Sequence, residues 1–298
     1  SMTPVAVLIT IASYFLILFT ISYIAGRKAD NEGFFVGNRK SAWYVVAFAM
    51  IGSSISGVTF VSVPGMVGIS NFSYLQMVLG FVTGQIIIAF VLIPLFYRMN
   101  LVSIYEYLEN RFGTSSYKTG AWFFFISKIL GAAVRLYLVC LTLQLLVFEP
   151  FHMPFIMNVI LTVALVWLYT FRGGVKSLIW TDSLKTFCLI VSVVLCIYYI
   201  ATDLKLSFTE MFSTVSDSAL SHMFFFDNVN DKRYFFKQFL AGVFTMIAMT
   251  GLDQDMMQRN LSCKNFKDSQ KNMITSGISQ FFIILLFLML GVLLYTFT

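Results

Sequence analysis

The stretch Met50-Ile-Gly-Ser-Ser-Ile-Ser-Gly-Val-Thr-Phe-Val-Ser-Val-Pro-Gly65 sets four serines, one threonine, three glycines and one proline inside an otherwise apolar segment. Two readings of it are open. Small residues at helical spacing, such as Gly52 and Ser56, make a face on which a neighbouring helix packs closely. The other reading is a helix broken at membrane depth. Glycine weakens the helix and Pro64 lacks a backbone donor. Unwound backbone survives in a bilayer only where it is buried in protein or lines a cavity. The glycines and serines are denser here than packing alone requires, which favours a broken, site-forming helix.

The rest of the chain sets the scale for that segment. Of its 298 residues, 58% are hydrophobic and only 11% charged. An ordinary soluble domain carries roughly 25% charged residues, so this composition predicts an all-α membrane protein. A helix needs about 20 mostly apolar residues to cross the hydrocarbon core. Eight segments qualify, at roughly 3–25, 42–68, 72–97, 118–147, 153–171, 176–201, 234–252 and 272–297. Lysine and arginine concentrate in alternate connections: Arg27, Lys28, Arg39 and Lys40 in the first, Arg98, Arg111 and Lys118 in the third. Arg172 and Lys176 follow in the fifth, and Arg259, Lys264, Lys267 and Lys271 in the seventh. By the positive-inside rule these four are cytoplasmic, and both termini lie outside. The net charge of +6 is thus a topology signal and not a nucleic-acid footprint. Leu206–Phe212, in the sixth connection, is amphipathic and reads as a surface helix or a structural lid. Cys140, Cys188, Cys196 and Cys263 have no ligand spacing and read as free thiols; no metal beyond a bound alkali ion is expected.

Ionisable groups inside spanning segments are costly and therefore candidates for function. Arg135, near the middle of the fourth segment, is either satisfied by carbonyls or a carboxylate, or is an anion-binding group. Lys128 lies two turns earlier on the same face and reads as a snorkelling or structural residue. In Trp180-Thr-Asp-Ser-Leu-Lys185, Asp182 and Lys185 either neutralise each other at i, i+3 or leave hard oxygens for a small cation.

Four stretches carry a family resemblance. Gly33-Phe-Phe-Val-Gly-Asn-Arg-Lys-Ser-Ala-Trp43 resembles the pattern DYFLGGRSLPWW, and Ser103-Ile-Tyr-Glu-Tyr-Leu-Glu-Asn-Arg-Phe112 resembles S-x-YEYLE-x-RF. Gly173-Gly-Val-Lys-Ser-Leu-Ile-Trp-Thr-Asp182 is similar to GG-x-x-x-VIWTD, and Asp253-Gln-Asp-Met-Met-Gln-Arg259 to (N/S/T)Q-x-x-x-QR. In this order they resemble the sodium:solute symporter family, which includes sugar, proline, iodide and sialic-acid carriers. The resemblance implies a LeuT-like inverted repeat of five plus five helices. Residues 1–25 would be an extra N-terminal helix, 42–201 the first repeat, and 234–298 the start of the second. It also implies a chain cut short after the seventh core helix, with the eighth, which supplies hydroxyls to the main sodium site, beyond Thr298.

Residue by residue, the resemblance assigns sodium-binding carbonyls to Gly52 and Ile55, and solute-facing hydroxyls to Ser54, Ser56 and Thr59. Asp182 matches an acidic position that helps bind a second sodium in some relatives. Where the family usually has a glutamine, this chain has Lys185, whose ammonium can occupy or neutralise that position. Met246, Met249 and Thr250 replace the aromatics of the sugar carriers, so a sugar is not supported. Sialic-acid carriers hold a carboxylate with an arginine on the fourth segment, and Arg135 lies about one helical turn from it. The function implied is sodium-coupled uptake, by alternating access, of a small polar organic solute, anionic or neutral, by a multi-pass protein of a plasma (bacterial inner) membrane. Its partners would be sodium, the solute and the lipid bilayer, with no nucleic acid. A solute-binding membrane sensor built on the same module is the alternative, and no intramembrane protease or hydrolase motif suggests an enzyme.

Overall fold

A computed structural model of the protein describes residues 3–26, 42–55, 57–101, 103–171 and 174–297. The apolar segments form helices, since a helix satisfies its backbone internally where water is absent. Five helices among the described residues are long and apolar enough to cross a membrane, and three further apolar helices are shorter. All eight expected segments are present. The chain divides into two compact units, Ser1–Asn38 with Leu101–Thr181, and Arg39–Asn100 with Asp182–Thr298.

The first unit contains α1 (Pro4–Gly26), α5 (Ile104–Phe112), α6 (Thr114–Phe148) and α7 (Phe155–Thr170). The third connection, expected as a loop, holds α5. Its N-terminus is set by Ser103, whose hydroxyl accepts a hydrogen bond from the Glu106 backbone N–H at 3.3 Å. That is half of a capping box, and Ser-x-x-Glu is its legible signal. Gly113 at φ +99° turns the chain directly from α5 into α6, a conformation a side chain would strain. Tyr105 then packs on Phe124, with ring centroids 5.8 Å apart. Near its end α6 widens into a π-helical turn at Gln144–Phe148. There the Asn158 amide of α7 donates to the Cys140 carbonyl at 2.6 Å, and Gln144 donates to the Met153 carbonyl at 2.9 Å. These bonds clasp α6 to α7 without any ionic charge.

The second unit contains α2 (Trp43–Ser54), α3 (Gly57–Ser70), α4 (Tyr74–Arg98), α9 (Phe208–Asp217), α10 (Phe235–Gly251), α11 (Gln254–Asn260) and α12 (Phe266–Phe297). To these is added α8 (Gly174–Asp203) from Asp182 onward. The second expected segment is thus two helices, α2 and α3. Asn71, at φ 56°, makes the turn from α3 to α4, a left-handed position asparagine tolerates. Helices α4 and α10 meet backbone to backbone: a Cβ at Gly80 would strike the Phe239 carbonyl, and one at Gly242 the Met77 carbonyl. Small residues are the means of close approach where lipid is as apolar as the side chains. Gly291 of α12 packs in the same way against the Pro64 carbonyl of α3. Around these contacts lies an apolar core that includes Ile51, Val67, Phe72, Val193, Phe287 and Leu288.

The amphipathic stretch of the sixth connection becomes α9, capped by Ser207. Beyond it the chain is pinned to the start of α4. The buried Gln76 side chain donates to the Arg233 carbonyl at 2.7 Å and accepts from the Phe225 N–H at 2.9 Å. Arg233 lies over the Phe225 ring at 4.4 Å and pairs with Asp231 at 3.1 Å, which holds the Asp231 carboxyl below its usual range.

Candidate functional site

The site begins at the break between α2 and α3. The last hydrogen bond of α2 runs from the Ile55 N–H to the Ile51 carbonyl at 3.0 Å, and Ile55 itself is extended (φ −107°, ψ 123°). A helix that stops here interrupts the regular pairing of the carbonyls in its last turn, and Gly52 lies in that turn. Gly52 and Ile55 are both buried, so those carbonyls are held away from bulk water. Ser54, the last residue of α2, is exposed and accepts a hydrogen bond from the Gln280 amide of α12 at 3.4 Å. Ser56 and the side chain of Thr59 lie outside the described residues. Arg135 is in the middle of α6, in the other unit, and is exposed.

A second break follows α10, where the sequence suggests only the end of a span. The last turn of α10, Ile247–Gly251, is π-helical, Leu252 donates back to the Ile247 carbonyl at 3.1 Å, and Asp253 is extended. The Asp253 carboxylate then accepts from the Met256 N–H at 3.2 Å and caps α11. Gly251 followed by an N-capping aspartate is the legible signal. Inside this break Thr250 is buried and donates to the Met246 sulfur at 2.9 Å.

Asp182 ties the two broken helices together. Its Oδ2 accepts from the Ser53 hydroxyl of α2 at 2.8 Å and from Arg259 Nε of α11 at 2.6 Å. Its Oδ1 accepts from Lys185, one turn along α8, at 3.4 Å. The Asp182 and Arg259 side chains are 3% and 8% exposed, so the two opposite charges offset one another away from bulk water. Gly52 is what lets α2 approach this point, since a Cβ there would run into the Asp182 carbonyl and the Thr186 hydroxyl. Thr186 completes the contact by donating to the Phe48 carbonyl at 2.6 Å. The sequence singles out Gly52, Asp182 and Lys185 but gives no sign of the roles of Ser53, Arg259 and Thr186. Their partners are remote along the chain, and no periodic signal marks them.

Next to this knot, α11 and α12 share a buried polar layer. The Asn272 side-chain amide donates to Asn260 Oδ1 and, at 3.1 Å, to the Met50 sulfur. The Tyr97 hydroxyl meets the Ser269 hydroxyl at 2.6 Å and the Cys263 carbonyl at 2.7 Å. Burial pushes the Cys263 thiol up to about 12. Among the described residues, Gln85 Oε1, Asn260 Nδ2 and Asn272 Oδ1 are buried without partners. The second unit therefore offers main-chain carbonyls at a helix break, hydroxyls beside them, and one neutralised carboxylate. That donor set is oxygen-rich and hard, and suits a small alkali cation better than a soft metal.

Comparison with known proteins gives the same direction. A profile described as the sodium:solute symporter family matches residues 34–298. The sodium/sialic acid symporter NanT of Aliivibrio fischeri is 26% identical over 269 residues, covering 86% of this chain and 50% of that protein. Human sodium-coupled monocarboxylate transporter 2 is 25% identical over 272 residues, covering 91% of this chain and 43% of that protein. The human sodium/iodide cotransporter is 24% identical over 264 residues, covering 87% and 40%. The chain thus spans half or less of the length of these relatives. A solved structure of a substrate-bound, outward-open Na+-coupled sialic acid symporter superposes with a TM-score of 0.83 at 21% identity, covering 100% of this chain and 62% of the other. That superposition shows the LeuT-like fold.

Proposed function

The chain belongs to the sodium:solute symporter family, and on that premise we propose that it carries out sodium-coupled uptake of a small organic anion by alternating access. The observation that carries this reading is the pair of helix breaks joined at one carboxylate. Freed backbone groups in discontinuous helices are the means by which membrane carriers hold an ion and a solute at mid-membrane. In this proposal the Gly52 and Ile55 carbonyls hold the sodium ion. Ser54, Ser56 and Thr59 face the solute, and Arg135, in the other unit, is an anion-binding candidate. Asp182, by the resemblance, stands at the position where some relatives hold a further cation. An anionic solute is favoured because three relatives are carriers named for sialic acid, monocarboxylates and iodide.

Sodium drives transport only if it binds one conformation more tightly than the other, and each tenfold difference shifts the equilibrium by about 1.4 kcal/mol. The break is placed to supply that difference, because the Gly52 and Ile55 carbonyls sit at the C-terminal end of α2, which is repositioned if α2 moves. The proposal extends to organisation and place. Residues 1–25 form an extra N-terminal helix, 42–201 a first repeat and 234–298 the start of an inverted second repeat. The N-terminus lies outside, the membrane is a bacterial inner membrane, and the solute leaves chemically unchanged, so no enzymatic step is involved.

The test is initial-rate uptake of labelled organic carboxylates into cells expressing the protein. Replacing sodium by choline should abolish uptake, and so should the double substitution Ser56→Ala plus Thr59→Ala. Uptake that is indifferent to choline replacement removes the sodium coupling.

A further inference from the structure

The Asp182 knot has two cations for one anion. Its Oδ2 lobe is occupied by Ser53 and Arg259, both well seated. Among the described residues, the Oδ1 lobe has Lys185 as its hydrogen-bonding partner, at the longer distance of 3.4 Å. Arg259 is buried, whereas the Lys185 side chain is 46% exposed. The buried pair is structural by geometry. The lysine is different: its side chain is half-exposed while its ammonium reaches Oδ1 of the buried carboxylate at 3.4 Å. An i, i+3 spacing, with side chains tilted toward the helix N-terminus, brings it there.

We infer that Lys185 is a tethered cation that fills the Oδ1 lobe of Asp182 and thereby excludes an additional sodium ion from the transport cycle. The inference rests on the sodium-coupled reading above. Without the ammonium, the hard Oδ1 oxygen would lose the cation that meets it among the described residues, with the Ser53 hydroxyl on the neighbouring lobe. That is a favourable place for a small alkali ion. With the ammonium in place, Asp182, Arg259 and Lys185 already carry one net positive charge. A sodium ion would add a second positive charge in a medium of low dielectric constant, where like charges repel far more strongly than in water. Ammonium and sodium are therefore alternatives at this lobe. Their consequences differ, because a tethered charge cannot be carried down a gradient. The lysine satisfies the carboxylate and contributes nothing to the driving force, so it lowers the number of sodium ions coupled to each solute.

The experiment is equilibrium binding of radioactive sodium to the purified protein in detergent, together with the steepness of the sodium dependence of uptake. Lys185→Gln should bind an additional sodium ion and show a steeper sodium dependence than the wild type. Lys185→Arg, which keeps the charge, should match the wild type in both. Asp182→Asn combined with Lys185→Gln, which removes one charge of each sign, should return to the wild-type count. An unchanged count and steepness in folded Lys185→Gln overturns the inference, as does a gain in Lys185→Arg. If Lys185→Gln does not fold, the double variant decides: a sodium ion lost relative to wild type would mean that Asp182 already binds one. Absence of sodium binding in the wild type would instead refute the sodium-coupled reading itself.

Discussion

Asp182→Asn removes one negative charge and leaves almost the same shape, which isolates the electrostatic contribution of the knot. Asparagine keeps an oxygen that can accept from Ser53 or Arg259, so the hydrogen-bond geometry is largely retained. What disappears is the counter-charge of a guanidinium whose side chain is only 8% exposed. Removing one partner of a buried, hydrogen-bonded charge pair costs about 3–5 kcal/mol. The half-exposed Lys185 adds at most about 1 kcal/mol, since exposed pairs are screened by solvent. The expected loss is therefore about 3–5 kcal/mol, or roughly 5–10 °C in the melting transition for a chain of this size. The assay is thermal unfolding in detergent, followed by tryptophan fluorescence, for Asp182→Asn, Arg259→Met and the double variant. The double variant should be far more stable than the two single losses would sum to, because the buried pair is removed as a unit. A loss in Asp182→Asn below about 1 kcal/mol, or strict additivity of the two changes, would refute the reasoning.

The other perturbations follow from packing and from groups outside the spanning helices. Gly242→Ala puts a methyl into the Met77 carbonyl and should cost about 1–3 kcal/mol. Gly131→Ala, whose Cβ would meet nothing nearer than an Arg135 nitrogen at 3.9 Å, should be close to neutral; equal melting temperatures for the two would contradict the close approach of α4 and α10. Cys263, outside the spanning helices, is buried with its thiol pushed up to about 12, so maleimide at neutral pH should label it slowly in the folded protein and quickly once it is unfolded. Rapid labelling of Cys263 in the folded protein would overturn this. The lowered Asp231 pKa predicts a contribution to the order of the 222–235 segment that is present above the unfolded carboxylate value and lost as pH falls through the folded one. Hydrogen-exchange protection in that segment, corrected for the intrinsic pH dependence of amide exchange, should fall on acidification in the wild type and change less in Asp231→Asn.

The eight apolar segments are legible in the sequence because membrane crossing imposes a length and a composition on each of them. The first break is legible for a related reason: Gly52, Ser53, Ser54, Ser56 and Gly57 crowd more helix-weakening residues into one turn and a half than close packing needs. The second break is less visible. Between Ile247 and Asp253 the chain offers only Thr250, Gly251 and the capping aspartate, and its α10 turn is opened by a π-helical register that has no composition signature. Asp182 and Lys185 can be paired on paper, being one turn apart. The stronger partner, Arg259, is 77 residues away, and Ser53 is 129 away. No local pattern encodes such a contact; it exists only once two broken helices and α8 have packed. The helix α5 is readable from Ser103 and Glu106, whose capping signal is local to the sequence.

The most direct measurement is solute accumulation in proteoliposomes holding the purified protein, with equal labelled organic carboxylate on both sides and an inward sodium gradient. Sodium coupling at the α2–α3 break predicts a transient rise of internal solute above its external concentration, which collapses when a sodium ionophore dissipates the gradient. Solute that equilibrates without ever exceeding the external concentration would contradict it. Solute that binds without entering would point to a sensor on the same scaffold.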